Sequence, residues 1–282
     1  MKKCILLPFI VVILGMYAKS QRSELGVFVG TAYYIGDLNP TKHFNKTNSA
    51  GGLIYRYNFN TRWAFKMSAL FGQLEGSDRE SNYNYNRNLS FRSPISEISG
   101  QLEFNFFNLY PQQGKNNFSP YMFVGFSAFS FNPQAQMNDH WYDLQPLGTE
   151  GQGLDHYPNK EHYSLTNVNI PFGLGLKYNF LRNFSLGIEW GMRKTWSDYI
   201  DDVGGTYADQ IQLSTNRGPI VASLADRSDV PNLEGAGRGN SRTKDWYNFT
   251  GIWLTFKLFE TSESCNVYQK PNYRSNKKGK KR

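Results

Sequence analysis

The chain has 282 residues, of which 16% are aromatic and 26 are glycine, and its formal net charge is +8. Its mean hydropathy is -0.56, and beyond residue 20 no apolar run approaches the roughly 18 residues of a membrane-spanning helix, which excludes a helical membrane protein from there on. A membrane-spanning β-barrel stays compatible, because its alternate residues face lipid and lumen, and a soluble β-sandwich or lipocalin-like barrel shares much of this composition.

The chain begins with the pattern of a secretory signal peptide. Lys2 and Lys3 precede an apolar stretch at residues 5–16, and the small residues Ala18 and Ser20 follow. A basic start, an apolar centre and small residues at the end are typical of a cleaved leader. The apolar stretch is also too short to span a bilayer comfortably as a helix. We therefore predict that residues 1–20 are removed and that the mature chain is exported.

Eight segments of the mature chain alternate apolar with polar or small residues. In the clearest of them, apolar side chains occupy every second position from Val168 to Phe180, whereas Asn169 and Lys177 fall on the other row. This period of two is that of a β-strand, and it does not fit a helix. Pro171 lies in the same segment and cannot donate to a strand ladder, so we expect a bulge there. The predicted strands are residues 25–35, 51–59, 63–72, 98–106, 120–131, 168–180, 184–193 and 246–258.

The connections between these strands alternate between short and long. Short joins on one side and long polar loops on the other are how outer-membrane barrels are organised, with the short side in the periplasm. An even number of strands then brings both termini to the periplasm. The sequence therefore predicts an all-β fold, an eight-stranded antiparallel transmembrane β-barrel over residues 21–258 with long extracellular loops. The short joins are residues 59–62, 109–119 and 180–183, and the long loops are residues 36–48, 74–93, 132–165 and 196–245.

Charged residues recur on the polar rows of the predicted strands. The interior of an eight-stranded barrel is just wide enough to be filled by side chains, and charges buried there must be paired. We predict a lumen network of mixed sign, and a narrow selectivity region is the alternative. The lumen residues are Arg56, Lys66, Glu103, Lys177, Glu189 and Arg193. Aromatic residues predicted to form girdles at the membrane interfaces are Trp63, Tyr121, Tyr178, Trp190, Trp246 and Tyr247.

Two long loops carry side chains of the kinds that serve metals or catalysis. The histidines of loop 132–165 lack the spacing of a zinc site, and the aspartates that open loop 196–245 lack the glycine and distal glutamate of a calcium loop. Catalytic and nucleotide-binding motifs do not appear in a convincing context. We expect no catalytic residue, metal or cofactor; a barrel enzyme would need a His with Asp or Ser at the rim. The residues concerned are His140, His156, His162, Asp198, Asp201 and Asp202.

Basic residues concentrate in residues 259–282. This segment holds seven lysines and arginines against two glutamates, whereas residues 21–258 hold 21 basic and 21 acidic residues. The barrel body is therefore neutral and the basic character belongs to the tail. We interpret the tail as a solvated periplasmic segment, or as one that docks onto an acidic partner or anionic headgroups. The candidate docking residues are Lys277, Lys278, Lys280, Lys281 and Arg282.

Motifs in the first and the last two predicted strands resemble a known family. Residues 194–203 read Lys-Thr-Trp-Ser-Asp-Tyr-Ile-Asp-Asp-Val, and residues 206–207, 238–240 and 245–247 continue the likeness, as do 24–26 and 34–39. Most of residues 23–258 is similar to the PorG-like outer-membrane barrels of the type IX secretion system. The most specific motif is the Asp-Tyr-x-Asp-Asp run at the root of the last loop. Its residues, with a tyrosine that follows, are Asp198, Tyr199, Asp201, Asp202 and Tyr207.

The resemblance implies a non-enzymatic component of a protein secretion machine, on which gliding motility also depends. It implies contact with outer-membrane lipids and with periplasmic lipoprotein and ring-forming subunits, and we expect no nucleic acid. The alternative is a stand-alone OmpA-like or OmpW-like barrel, acting as an adhesin or a narrow pore. Because carboxylates past a strand end can cap amides and pair with cations, we predict that the aspartates of the run pair with Arg193, Lys194 or Arg217; direct partner contact is the alternative.

Overall fold

The computed structural model describes residues 23–109, 117–181 and 183–258. The predicted signal peptide and the basic tail lie outside these residues. Ten strands are described, of which eight are long. The long strands are β1 (Ser23–Ile35), β2 (Asn48–Asn58), β3 (Trp63–Ser77), β4 (Ser90–Asn105), β5 (Phe118–Phe131), β8 (Thr166–Tyr178), β9 (Phe184–Thr195) and β10 (Trp246–Lys257).

The eight long strands form a closed antiparallel barrel. Each pairs with the long strand before and after it in the chain, and β1 pairs with β10 along twelve residues to close the ring. The predicted fold class is confirmed. Closure leaves no free sheet edge among these strands, which is the requirement for strands placed in a hydrocarbon environment, where unpaired backbone groups are costly.

The outer face of this barrel is apolar and the inner face is polar. On β8, the outward side chains of Val168 and Leu174 are 55% and 56% exposed, whereas Asn169 and Lys177 point into the lumen and are at most 2% exposed. A soluble barrel has the opposite distribution, because water covers its outside. The barrel therefore has the outward apolar band and polar interior of a barrel that spans a bilayer. In the described part of the chain, no helix has the length and hydropathy needed to cross a membrane.

Pro171 is accommodated without the predicted bulge. It pairs with Arg193 of β9, and the registers of β8 with both β5 and β9 run unshifted from end to end. The ladder between β8 and β5 is instead interrupted for two residues. Gly125 and Phe126 of β5 have no paired residue on β8. Proline lacks the N–H that the ladder needs, and the barrel absorbs this by leaving out two pairings rather than by inserting a residue.

Strands β3 and β4 are longer than the alternation predicted. They stay paired up to Ser77 and Ser90, so the connection is residues 78–89 rather than 74–93. In the extra pairs Leu74 and Phe91 are buried, whereas Glu75 and Arg92 are partly exposed. The membrane pattern of apolar residues outside and polar residues inside therefore ends below these pairs. This hairpin therefore projects above the barrel rim and gives the long loops a framework on which to fold.

The long loops fold over one end of the barrel as an ordered unit, which we call the loop cap: residues 36–47, 78–89, 132–165 and 196–245. The sequence predicted only polar loops here. The cap contains the hairpin β6 (Gln134–Met137) and β7 (His140–Asp143), and four helices. Asn138 and Asp139 both have positive φ in the hairpin turn, as a type I′ turn requires. The helices are α1 (Asp78–Ser81), α2 (Leu144–Leu147), α3 (Gln210–Arg217) and α4 (Pro219–Ala225).

Two small apolar clusters explain why the cap is ordered. One packs Leu213 of α3 and Val221 of α4 against Leu154. The other packs Leu224 of α4 against Leu144 of α2 and the hairpin residue Ala135. Because helix α4 takes part in both clusters, it ties the third long loop to the fourth.

Two of the predicted girdle aromatics lie in the lumen instead. Tyr121 and Tyr247 are fully buried inside the barrel, whereas Trp63 and Tyr178 are exposed on the outside near the short turns. The prediction for the two tyrosines was wrong because β5 and β10 carry aromatic residues on both rows, so alternation alone does not separate lipid-facing from lumen-facing side chains there. Trp190 and Trp246 are partly exposed.

Candidate functional site

A network of buried ion pairs fills the lumen towards the short turns, and Glu103 of β4 is its centre. Its carboxylate accepts from Nε of Arg56 at 2.8 Å and from Nη2 at 3.1 Å. It also accepts from Nζ of Lys177 at 2.8 Å, and Nζ of Lys66 lies 3.7 Å away. One carboxylate thus serves three cations, in a space where an unpaired charge would cost several kcal/mol.

The other members of this network balance its charge. Arg56 reaches Glu24 of β1 at 3.0 Å, and Lys66 forms an ion pair with Glu189 of β9. The Tyr121 hydroxyl donates to Glu189 at 2.7 Å. Glu24 was missed by sequence reasoning, although it lies on the row opposite the lipid-facing Leu25 and parity alone would have placed it in the lumen.

A second lumen pair lies nearer the loop cap. Arg193 of β9 contacts Glu97 of β4 at 3.2 Å, and the Tyr247 hydroxyl donates to Glu97 at 2.7 Å. Glu97 was also missed, although it shares the lumen row of β4 with Glu103. All six lumen residues named from the sequence lie inside the barrel and are at most 3% exposed; Arg193 belongs to this second pair rather than to the network around Glu103.

Aromatic rings pack against the lumen cations. The Arg56 guanidinium lies 4.1 Å from the Trp253 ring centre, and the Lys66 ammonium lies 4.3 Å from that of Phe123. Such cation–π contacts stabilise a desolvated cation further. Trp253 is 1% exposed. Charged and aromatic side chains together fill this cross-section of the barrel, which leaves no wide water-filled path there.

The loop cap rests on a buried cluster at the end of β1. The Tyr34 hydroxyl donates to Asp201, and the same oxygen lies 3.0 Å from Asp245. A phenol has one proton, so the second contact is a hydrogen bond only if one of the two carboxyls keeps its own proton. Asp201 also accepts from the Val203 amide at 2.9 Å, and Asp245 from the Ile200 amide at 2.9 Å. The cluster therefore joins the first strand to both ends of the last loop.

Asp202 anchors the last loop to the third one. Its carboxylate accepts from Thr149 and from the Tyr163 hydroxyl at 2.7 Å, and it lies 3.5 Å from Arg238. Arg238 also contacts Glu150 at 3.3 Å. Because both acids and the arginine are at most 3% exposed, this group is a buried ionic lock within the cap.

The aspartates of the motif lie at the root of the last loop, and their ionic partners are not the predicted ones. Asp202 contacts Arg238, and Asp198 contacts Lys244 at 3.5 Å. The predicted partners Arg193, Lys194 and Arg217 were wrong because Arg193 points down the lumen to Glu97, Lys194 lies over the Trp246 ring, and Arg217 donates to backbone carbonyls of residues 146, 152 and 153.

The two tyrosines of the motif complete the root of the loop. The Tyr199 ring stacks on that of Tyr163 with centres 4.6 Å apart and planes within 5°. Tyr207 is 2% exposed, and its amide donates to the Ala236 carbonyl at 2.9 Å. Offset or parallel ring contacts of this kind add specific geometry to burial, so the motif residues act as packing as well as polar groups.

The loop histidines do not form a site together. His140 contacts the Asn138 carbonyl, His162 contacts the Gln145 carbonyl, and His156 lies 3.5 Å from Glu234. Within residues 23–109, 117–181 and 183–258, no group of three or more His, Cys, Asp or Glu side chains is arranged to hold a metal ion. These histidines are separate surface contacts of the cap.

Burial gives the loop-root acids raised pKa values, and this predicts a pH dependence. Burial raises the pKa of Asp198 to about 7, against the opposing charge of Lys244, and raises that of Asp202 to about 6, against Arg238. Burial, with nearby carboxylates, also raises the pKa of Asp201 and Asp245. The folded cap then holds more protons than the unfolded one above about pH 4, so its stability falls as pH rises.

We expect amide protection in residues 198–207 to be highest near pH 5 and to decrease towards pH 8. Hydrogen exchange read by mass spectrometry, corrected for the intrinsic rate at each pH, measures this. The mutant Asp198→Asn should have a flatter profile between about pH 6 and 8, because it no longer titrates. Barrel-strand peptides serve as the control, and protection that rises with pH would contradict the assignment.

Comparison with known proteins identifies a family but no function. The solved structures that the chain resembles include Ail of Yersinia pestis, with 10% identity, a TM-score of 0.40, and coverage of 84% of this chain and 99% of that one. Neisserial surface protein A has 9% identity, a TM-score of 0.42, and coverage of 84% and 97%. OprG of Pseudomonas aeruginosa has 12% identity, a TM-score of 0.37, and coverage of 85% and 99%.

At these identities and TM-scores the similar structures do not support a shared function. The fold assignment rests on the strand pairing described above. No curated protein matches the chain. A family model does match, over residues 3–217, which is more than half of the sequence. The chain therefore belongs to the family described as Domain of unknown function (DUF6089).

Proposed function

We propose that this protein is a non-enzymatic outer-membrane barrel that serves as a subunit of the type IX protein secretion and gliding-associated machinery, where it anchors or assembles the periplasmic ring. The observation that carries the proposal is the filled lumen. A cross-section occupied by paired charges around Glu103 suits a scaffold that holds partners, and it does not suit a conduit for solutes.

The motif residues support the more specific part of the proposal. The Asp-Tyr-x-Asp-Asp run carries the resemblance to PorG-like barrels. In this fold Asp201 contacts Tyr34 and Asp202 contacts Arg238 at the root of the cap. A barrel with the same cap would need the same residues at the root of its last loop. This structural role supports the proposal that the resemblance extends to the root of the cap.

The membrane location and orientation follow from the distribution of side chains and turns. The apolar outer band fits a bilayer, and signal-directed export would deliver the chain to the outer membrane. The described strands begin and end at the short-turn end, at Ser23 and Lys257. We propose that this end is periplasmic and that the cap is extracellular.

The first short turn, at residues 59–62, is tightened by Asn60. Its carboxamide oxygen accepts hydrogen bonds from the amides of Arg62 and Trp63 at 2.8 Å and 2.9 Å.

The basic tail is the segment that we assign to partner docking. It would leave the barrel at the same end as the short turns, because β10 finishes there. With the barrel body neutral, the tail supplies the net positive charge of the mature chain, and this charge would attract an acidic face of a lipoprotein or ring subunit. The residues assigned to docking are Lys277, Lys278, Lys280, Lys281 and Arg282.

A stand-alone OmpA-like or OmpW-like barrel is the second candidate. The ordered cap would suit an adhesin, because loops positioned by a rigid scaffold commonly carry binding surfaces. The filled lumen counts against the narrow-pore form of this candidate. An isolated adhesin would need no periplasmic partner, and this difference decides the experiment.

We expect the tagged mature protein, extracted from outer membranes in mild detergent, to bring down periplasmic lipoprotein and ring subunits. A variant that ends at residue 259 should recover much less of them, because the docking charge is gone. Mass spectrometry of both samples is the measurement. A full-length variant in which the five docking residues are replaced by glutamine is the matched control, because it removes their charge and keeps the length of the tail. A barrel recovered alone in several detergents would reject the secretion role.

A further inference from the structure

The outer surface of the loop cap contains a cleft that the proposed function does not use. Two neighbouring cavities of about 760 Å³ and 450 Å³ meet at Asn84, Arg87, Gly237 and Arg238. We call this pair the cap cleft. Each volume is in the range of a small-molecule site, and the two together offer room for more than one ring of a chain-like ligand.

The arginines of the cap cleft are already neutralised. Arg87 donates to both oxygens of Asp78, at 2.8 Å and 2.6 Å, and to the Asp37 carbonyl at 2.9 Å. Arg238 is held by Glu150 and Asp202. Neither guanidinium keeps a free pair of N–H donors that could bind a phosphate or sulfate group in a bidentate manner. The two arginines therefore do not make the cap cleft an anion site.

The other polar groups of the cap cleft are amides, carboxylates, hydroxyls and one ammonium, that of Lys244, which lies 3.5 Å from Asp198. Asn84 lines both cavities and Asn86 lines one, and Asp37 and Asp229 line one each. A carboxamide both donates and accepts, and a carboxylate accepts. This combination matches hydroxyl groups, which also donate and accept. It disfavours a negatively charged ligand, because each lysine or arginine that lines the cleft already has a carboxylate partner.

An exposed aromatic ring stands at the rim of the cap cleft. Tyr83 lines the smaller cavity and is 65% exposed. It belongs to the run Asn82-Tyr83-Asn84-Tyr85-Asn86, in which Tyr85 is also exposed. An aromatic face carries partial negative charge and attracts the polarised C–H edge of a ring laid upon it. Rings with C–H faces and hydroxyl edges are sugars.

We propose that the cap cleft binds a neutral carbohydrate chain. Tyr83 supplies a stacking face, Asn84 and Asn86 pair with hydroxyls, and the carboxylates of Asp37 and Asp229 exclude anionic sugars. A binding site at this end of the barrel lies opposite the short turns, so it acts independently of periplasmic partners.

Titration of the purified full-length barrel with cellohexaose, chitohexaose and laminarihexaose tests the proposal, with calorimetry as the readout. The detergent should be lauryldimethylamine oxide, because maltosides and glucosides carry sugar headgroups that would compete. We expect saturable binding of at least one of the three, about tenfold weaker for Tyr83→Ala and nearly unchanged for Tyr83→Phe, which keeps the ring.

The matched control is Ile211→Ala, which removes an exposed side chain of the same cap that lines neither cavity. It should bind as the unmodified protein does. A heparin-derived hexasaccharide should not bind. The proposal is overturned if none of the three neutral sugars binds, if Tyr83→Ala binds as tightly as the unmodified protein, or if a lysine-rich peptide saturates the cleft while the sugars do not.

Discussion

Replacing Glu103 by glutamine should lower the free energy of unfolding of the barrel by about 3–5 kcal/mol, the range measured when one partner of a buried ion pair is removed. Glutamine keeps the size of the side chain but not its charge. Arg56, Lys66 and Lys177 would then share the lumen with only Glu24 and Glu189 to balance them. Urea unfolding of the refolded barrel in lipid vesicles, followed by tryptophan fluorescence, measures the change.

The control for this prediction is an ion pair on the surface. Glu80 of α1 contacts Lys46 at 3.0 Å and is half exposed. Replacing it by glutamine also removes one carboxylate from a pair, but exposed pairs contribute only about 0–1 kcal/mol. Equal losses for the two variants would mean that the lumen charges are hydrated, and the description of a filled lumen would then be wrong.

Replacing Arg238 by glutamine should open the loop cap while leaving the barrel intact. The substitution leaves Asp202 and Glu150 buried without their shared cation, and we expect the cap to lose about 3–5 kcal/mol of local stability. Hydrogen exchange should accelerate in residues 144–165 and 198–240. The difference in gel migration between unheated, folded barrel and heated, unfolded barrel should not change, because the strand ladders do not depend on this lock.

Arg217 provides the matched control in the same cap. It was one of three cations predicted to pair with the motif aspartates, yet its hydrogen bonds go to backbone carbonyls, including that of Pro146 at 2.9 Å. Substituting glutamine there should have an effect below about 1 kcal/mol, the ordinary value of a partly exposed hydrogen bond. If Arg217→Gln accelerates exchange as much as Arg238→Gln does, the assignment of the lock to Arg238 fails.

The barrel could be predicted from the sequence because its signal is local. Alternation with a period of two identifies a strand and its two faces without knowledge of any other strand, and short joins indicate antiparallel neighbours. The same parity assigns Lys66 and Lys177 to the lumen. It failed for Tyr121, since its neighbours Met122 and Phe123 make both rows of β5 apolar.

The ionic partners could not be predicted because they depend on register and on contacts between distant loops. Asp202 and Arg238 lie on opposite arms of one loop, and Glu150 comes from another. Cap helices of four to eight residues are too short to give a helical period. The sequence therefore indicated that the Asp-Tyr-x-Asp-Asp run holds a loop root, but not which cations hold it.

The filled lumen is the central claim, and electrical recording from single barrels in a planar bilayer tests it most directly. The protein is reconstituted at neutral pH in about 1 M KCl. The Debye length is then only ~3 Å, so surface charge has little effect on ion entry, and the high salt makes the current through any open path easy to detect. We predict a silent bilayer, because paired charges and aromatic rings around Glu103 occupy the cross-section. Steady channels of uniform conductance would contradict the account and favour the narrow-pore barrel.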